Sequence, residues 1–227
     1  MHNDSIVTNT PTTPDPIQSD EPFIIRSRSQ VRALTSPARQ EIVDALVSGG
    51  PCSIAELATH TGRAPDSLYF HVRRLIKVGL IVEREARTTG KRPAAVYDVP
   101  GRPLYLSYAT MMGWPELTGV VGSALRLAGR DFGRAMKLGV AVVEGPRRNI
   151  WGGRAKGWVG NEQIEEMNRL IARLFEIVHS GRPGEGRTAQ SFTMVLAPVR
   201  ASRRAPRPRS ASEGVPRTRV IERNGEP

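Results

Sequence analysis

The side chains best suited to chemistry in this sequence lie between Arg63 and Arg92, where eight basic residues accompany three acidic ones. Hydrogen-bonding groups open the stretch, at Asp66, Ser67, Tyr69 and His71. Arg73 and Arg74 follow directly, and a guanidinium can bind a phosphate or the edge of guanine. We therefore expect the first group to contact base edges in a nucleic acid and the two arginines to contact phosphate or guanine.

A helix predicted from Pro65 to about Lys77 carries these side chains. Leu68, Val72, Leu75 and Ile76 recur at i, i+4, i+7 and i+8 and form its buried stripe. The residues left on its outer faces are Ser67, Phe70, His71, Arg73, Arg74 and Lys77. Such a helix fits the major groove of DNA. The alternative is a plain solvated face, with His71 or Tyr69 half-buried as packing residues.

Two further helices are predicted before it. Ser36 followed by Pro37 begins a helix that runs to about Ser48, and the Gly-Gly-Pro run at 49–51 ends it. Ser53 and Glu56 have the S-x-x-E spacing of a capping box, which begins a second helix ending near His60. Gly62 supplies the turn residue before Pro65. The pattern is that of a helix-turn-helix.

Two strands are predicted after this motif, at 80–85 and 94–99, and a basic hairpin loop at 86–93 joins them. The hairpin is a wing, in which Arg87, Lys91 and Arg92 would lie over the DNA backbone or the adjacent minor groove. The sequence therefore predicts a winged helix-turn-helix between about Ser29 and Val99.

This stretch resembles the winged-helix domain of ArsR-type bacterial regulators over about seventy residues. The matching segments are Leu34–Arg39, Ile54–Ala58, Ser67–Leu75 and Gly79–Leu80. The resemblance implies transcriptional control, usually repression, by a homodimer that reads two symmetric half-sites of double-stranded DNA.

One departure from the family concerns its metal site. Metal-sensing members carry a Cys-x-Cys pair on the first helix of the motif, whereas Ser53 and Ala55 occupy those positions here. Cys52 alone cannot form a tetrahedral soft-metal site, and no two histidines are spaced at i, i+4. The sequence contains no recognisable catalytic motif that combines a nucleophile, a general base and an acid. We expect no metal, no cofactor and no enzyme activity.

The composition supports a polyanionic partner. The formal net charge is +11 and the pI is about 10.9. A single cysteine indicates a reducing compartment, and the sequence has neither an export signal nor an apolar stretch long enough for a membrane span, so we expect a cytoplasmic protein. Both ends are predicted to be disordered, as a Thr/Pro-rich tail at 1–25 and an Arg/Pro-rich tail at 199–227.

Between these tails we expect the winged-helix domain at 26–100 and a second α+β module at 101–198. Amphipathic patterns predict helices from Pro115 to about Leu138 and from Asn161 to about His179. Ser191–Pro198 and the short Trp158-Val159 segment are predicted strands. Regulators that resemble this one often append such a helix-strand-helix-strand module, and this second resemblance implies dimerisation or the sensing of a small-molecule effector. A packed dimer core and a pocket lined by Trp114, Phe132, Trp151 and Trp158 are both open at this point.

The fold class expected is therefore mainly α with a small β component (α+β). The function expected is a homodimeric, sequence-specific transcription repressor. Two alternatives are a winged helix that binds another protein and an RNA-binding protein that uses the Arg-rich tail.

Overall fold

The computed structural model describes residues 21–89 and 92–199, and the described part is rich in helix with little sheet. This confirms the predicted α+β class. The strands are β1 (Phe23–Ile25), β2 (Cys52–Ser53), β3 (Val82–Thr89), β4 (Arg92–Asp98) and β5 (Leu104–Leu106). The helices are α1 (Arg28–Leu34), α2 (Pro37–Gly49), α3 (Ile54–Thr61), α4 (Pro65–Lys77), α5 (Tyr108–Met111), α6 (Pro115–Lys137) and α7 (Asn161–Ser180).

Helices α3 and α4 form the predicted helix-turn-helix, α2 precedes them as expected, and the bounds of α4 are those expected from the sequence. The capping box at Ser53 and Glu56 is present. Gly62 ends α3 with a φ of 65°, a left-handed conformation that glycine adopts without steric cost. The expected cap at Ser36 is wrong in one respect, because its side chain makes no capping hydrogen bond and Pro37 alone marks the helix start.

The wing is a hairpin with longer strands than expected. β3 and β4 pair antiparallel, and β2 joins the other edge of β4, which gives the order β2-β4-β3. The loop predicted at 86–93 is wrong for most of its length, because 86–89 continue β3 and β4 begins at Arg92. The pairing of β3 with β4 shifts in register between Arg84 and Arg87, as at a β-bulge.

A second small sheet lies outside the predicted motif. Within the tail predicted at 1–25, Phe23–Ile25 is instead a strand, and it pairs in parallel with β5. The tail prediction was wrong here because the partner strand lies about eighty residues further along the chain, where no local pattern reveals it. The rest of that tail, 1–20, and residues 200–227 of the other tail lie outside the described residues.

The hydrophobic core connects the helix-turn-helix with the start of the second block. Its fully buried side chains include Ile42, Leu46, Leu57, Leu68, Val72, Leu75, Leu80 and Met111. α6 packs across α1 and α2. Gln40 Nε2 donates to the main-chain oxygen of Val120 at 3.0 Å, and Ser123 Oγ donates to that of Thr35 at 2.6 Å. These bonds attach α6 to the winged helix.

The two long helices predicted in the second block are confirmed as α6 and α7, but the strands predicted at Trp158-Val159 and Ser191–Pro198 are wrong. These segments have no regular structure. A strand is stabilised by backbone hydrogen bonds to a partner strand, and neither segment takes part in any strand pair of the described residues. No helix within the described ranges is both long enough and apolar enough to span a bilayer.

Candidate nucleic-acid interface

One side of α4 is buried and the opposite side is open to solvent. Leu68, Val72 and Leu75 are at most 1% exposed and fix the helix against the core. The 100° turn per residue puts Asp66, Phe70, Arg73 and Lys77 on the line farthest from this buried stripe. We call this line the outer stripe of α4. All four of its residues are exposed.

The start of α3 is held by charge-assisted hydrogen bonds. The Glu56 carboxylate accepts from the backbone nitrogen of Ser53 at 2.6 Å and from its hydroxyl at 2.9 Å. These bonds, the backbone bond above all, lower the pKa of Glu56. The turn that follows α3 then delivers Pro65 to the first position of α4, where its lack of an N–H has no cost.

The two arginines and the lysine of α4 have no ion-pair or hydrogen-bond partner in the described part of the chain. Arg73, Arg74 and Lys77 are exposed, and they make no ion pair or hydrogen bond there. Arg39, on α2, lies close to this group: burial lowers the pKa of its guanidinium, and the charge of Arg74 lowers it further. Sequence reasoning missed Arg39, because no local spacing relates it to α4.

The four expected base-edge residues are not equally placed. Asp66 is exposed, and the hydroxyl of Ser67 donates to the main-chain oxygen of Ala64 at 2.9 Å. Tyr69 lies on the side of α4 nearer the wing, where it interacts with Tyr97 of β4. Burial raises the pKa of Tyr97, and the charges of Glu83 and then Tyr69 raise it further. Tyr69 is 47% exposed.

His71 lies on the other side of α4 and is half-buried. Its Nδ1 is buried and has no hydrogen-bond partner among the described residues. Burial lowers the pKa of His71, and the charges of Arg39 and Arg63 lower it further. Its ring meets that of Phe70 edge to face, with 5.6 Å between the ring centres.

The basic residues expected on the wing are only partly described. Arg87 folds back toward β2: its Nη2 donates to the main-chain oxygen of Pro51 at 3.0 Å, and its Nη1 lies 3.9 Å from Glu56 Oε1. Arg92 is the first residue of β4, and Lys91 lies outside the described residues.

Two clusters of ion pairs support the site, and sequence reasoning found neither. Glu41 on α2 binds Arg63, in the turn before α4, at 3.0 Å, and Arg130 on α6 at 2.6 Å. Partners this far apart in the chain leave no signal in residue spacing.

The second cluster lies at the end of β4, where Asp98 is 1% exposed and binds Arg102. Arg84 of β3 approaches the same carboxylate at 3.7 Å. Arg102 also donates to the main-chain oxygens of Leu46 at 2.9 Å and Val47 at 3.3 Å. The wing hairpin is thereby joined to the end of α2.

The aromatic residues of the second block do not line a common pocket in the described structure. Trp114 packs against the core, whereas Trp151 and Trp158 are 73% and 77% exposed. Arg148 stacks over Trp151, with its guanidinium carbon 3.6 Å from the ring centre. An open groove of about 450 Å³ runs along α6 beside Arg130, Arg134 and Lys137.

A comparison with models of protein families found one match. A family model described as HVO_A0114 matches residues 34–99, from the end of α1 to the residue after β4. No curated protein matches the chain.

Several solved structures are similar to the chain. YusO from Bacillus subtilis is 16% identical, covers 65% of this chain and 79% of its own, and has a TM-score of 0.28. NadR in complex with 4-hydroxyphenylacetate is 16% identical, covers 66% and 84%, and has a TM-score of 0.26. A C30AH42A mutant of Lactococcus lactis ZitR in its apo form is 12% identical, covers 66% and 82%, and has a TM-score of 0.21. The fold is defined by the order and pairing of the elements described above.

Proposed function

We propose that the protein is a sequence-specific DNA-binding transcription regulator that inserts α4 into the major groove. The observation that supports this most is the group of unpaired cations on the exposed side of α4. Arg63 and Arg130, by contrast, are paired with a carboxylate. Within the described residues no carboxylate oxygen lies within 4.0 Å of Arg73, Arg74 or Lys77, so their charge is available to phosphate oxygens.

The proposal assigns two kinds of contact. The base-edge contacts are Asp66, Ser67, Tyr69, Phe70 and His71, and the contacts to phosphate or guanine are Arg73, Arg74 and Lys77. On the wing, Lys91 and Arg92 would lie against the backbone. Arg87 would join them only after releasing Pro51 and Glu56, which hold its guanidinium in the free protein.

A homodimer is part of the proposal, and α7 is its expected interface. This helix has twenty residues and none is buried. Leu170, Leu174 and Ile177 on its apolar side are 43% to 57% exposed. An amphipathic helix gains most of its stability from packing this side against a partner. A second copy of α7 is a partner of matching shape and hydrophobicity, and it would place two α4 helices on one duplex.

The dimer can be tested by measuring the mass in solution with light scattering. Leu170→Glu should convert the dimer to a monomer, because it would bury an unpaired charge in the interface. Ala172→Glu, on the opposite side of α7, should leave the dimer intact. A monomeric parent protein would contradict the proposed interface.

Repression enters the proposal through the ArsR-type resemblance of the winged helix, and a small-molecule effector through the resemblance of the second block to the modules that such regulators append. Repression is tested by measuring transcription in vitro from a promoter that the protein binds. A fall in transcript on adding the protein is expected, and a rise would identify an activator instead.

DNA binding itself is tested by selecting duplexes from a genomic library with the full-length protein and footprinting those retained. Arg73→Glu with Arg74→Glu should abolish specific protection. Arg154→Glu with Lys156→Glu, in the exposed segment between α6 and α7, changes the net charge equally and should preserve it.

Two alternatives predict different results. A protein-interaction module would give a stable cross-linked protein partner and no protected DNA. An RNA-binding protein that uses its Arg-rich tail would lose all nucleic-acid binding on deletion of 200–227.

A further inference from the structure

Phe70 occupies an unusual place for a phenylalanine. It is 70% exposed and lies at the middle of the outer stripe of α4, with Asp66 one turn before it and Arg73 one turn after it. Single exposed apolar side chains are common on protein surfaces. Here, however, the ring is at the centre of the face proposed to enter the major groove.

The fold does not use this side chain. Phe70 is absent from the hydrophobic core cluster, and its one ring contact in the described structure is the edge of His71. A phenyl ring has no hydrogen-bonding group, so it cannot read a donor or acceptor on a base. The chemistry left to it is an apolar contact.

The major groove offers one prominent apolar group, the C5-methyl of thymine, and apolar side chains including phenylalanine are suited to contact it. Phe70 is the sixth residue of α4 and therefore in the N-terminal half, where a recognition helix approaches base edges. The unpaired cations Arg73, Arg74 and Lys77 beside it favour a polyanion over an apolar protein surface. RNA is disfavoured because uracil lacks this methyl group and the major groove of A-form RNA is too narrow for a helix.

We propose that Phe70 is a specificity-determining residue that packs on a thymine methyl group, so that each half-site carries an A·T pair at the position facing it. This inference rests on the proposed function. It adds the base chemistry that one side chain recognises and the place of that base opposite the centre of α4.

The test uses a duplex selected from a random library by the full-length protein. Each thymine in it is replaced singly by deoxyuridine, which removes only the methyl group. For the parent protein, replacement of one particular thymine in each half-site should weaken binding about fourfold, because the loss of one buried methyl-sized group has about this effect. The other positions should change little.

The same replacements are then measured with Phe70→Ala, Phe70→Leu and, as a matched control, Phe132→Ala on α6. Phe70→Ala should bind the selected duplex and the duplex with deoxyuridine at the sensitive position equally well. Phe70→Leu should retain part of the difference in affinity between these two duplexes. Phe132→Ala should keep the full fourfold ratio. Because Phe70 is exposed, its variants should unfold at the temperature of the parent protein.

Three results would overturn the inference while leaving DNA binding intact: no thymine sensitive to loss of its methyl group, a ratio unchanged in Phe70→Ala, or a selected site with no thymine opposite α4. Failure to select any duplex is a different result. It would overturn the proposed function, and this inference with it.

Discussion

Arg63, in the turn that leads into α4, binds Glu41 of α2 at 3.0 Å, and this is the only ion pair that reaches that turn within the described residues. The other oxygen of the same carboxylate binds Arg130 of α6 at 2.6 Å. One side chain therefore holds both the entry to the proposed recognition helix and the first long helix of the second block.

Glu41→Gln should lower the free energy of unfolding by about 1 to 3 kcal/mol, because it leaves two guanidinium groups without their shared carboxylate. Urea denaturation measures the change. Glu166→Gln, which breaks the exposed pair with Arg169 on α7, is the control and should cost less than about 1 kcal/mol. Equal losses in the two variants would mean that the Glu41 cluster contributes no more than a surface pair.

Gly119 of α6 lies close to Thr35, the residue after α1. A Cβ there would lie 3.0 Å from Thr35 Cγ2. The Thr35 side chain is held in place because its hydroxyl donates to the main-chain oxygen of Arg32. Its backbone is held as well, since the main-chain oxygen of Thr35 accepts from the hydroxyl of Ser123. Gly119→Ala should therefore lower the melting temperature, despite the better helix propensity of alanine.

Gly129→Ala is the matched control, since it is in the same helix and has no atom within 4 Å of an added Cβ. It should stabilise α6 by up to about 1 kcal/mol. A rise in melting temperature for both variants would contradict the close approach at Gly119.

Asp98 is the buried acceptor on which the end of the wing depends. Asp98→Asn leaves the guanidinium of Arg102 buried without a counter-charge, and this should cost about 3 to 5 kcal/mol. Calorimetry should show a large fall in melting temperature or an unfolded chain. Asp98→Asn with Arg102→Met should recover part of that loss, and no recovery would argue against the ion pair as the cause.

Glu116 should contribute to the stability of the protein in acid. Hydrogen bonds from Arg32 and then Arg28 lower its pKa to about 2. An acid with a depressed pKa stabilises the fold above its unfolded pKa of about 4.3, and this contribution is lost as the pH falls toward about 2. The melting temperature of Glu116→Gln should lie below that of the parent protein at pH 6, and the two should converge near pH 2.

Glu165→Gln, at an exposed carboxylate of α7 that makes no ion pair within the described residues, is the control for the removal of one negative charge. A difference for Glu116→Gln that stays constant with pH would instead indicate a loss of packing.

Local signals explain which parts of the fold could be predicted. Pro65 at the first position, Gly62 before it and the spacing of Leu68, Val72 and Leu75 suffice to define α4, because all of them act within a few turns. β1 could not be predicted, since Phe23–Ile25 becomes a strand only beside β5. The β-like composition of 191–198 misled for the converse reason, because this segment pairs with no strand among the described residues.

The positions of the candidate site residues in the fold divide in the same way. The exposed cations of α4 follow from its buried stripe by helical geometry alone. The half-burial of His71, the inward fold of Arg87 and the bond between Arg63 and Glu41 depend on elements that are distant in the chain. Spacing along one helix carries no information about them.

The central claim, that α4 binds the DNA backbone through its unpaired cations, is tested most directly by the salt dependence of binding to one selected duplex. The logarithm of the binding constant should fall linearly with the logarithm of salt concentration, by about 0.9 for each phosphate contact. Arg73→Gln with Arg74→Gln should make this slope shallower by about two for each protomer bound. A slope identical to that of the parent protein would contradict the account.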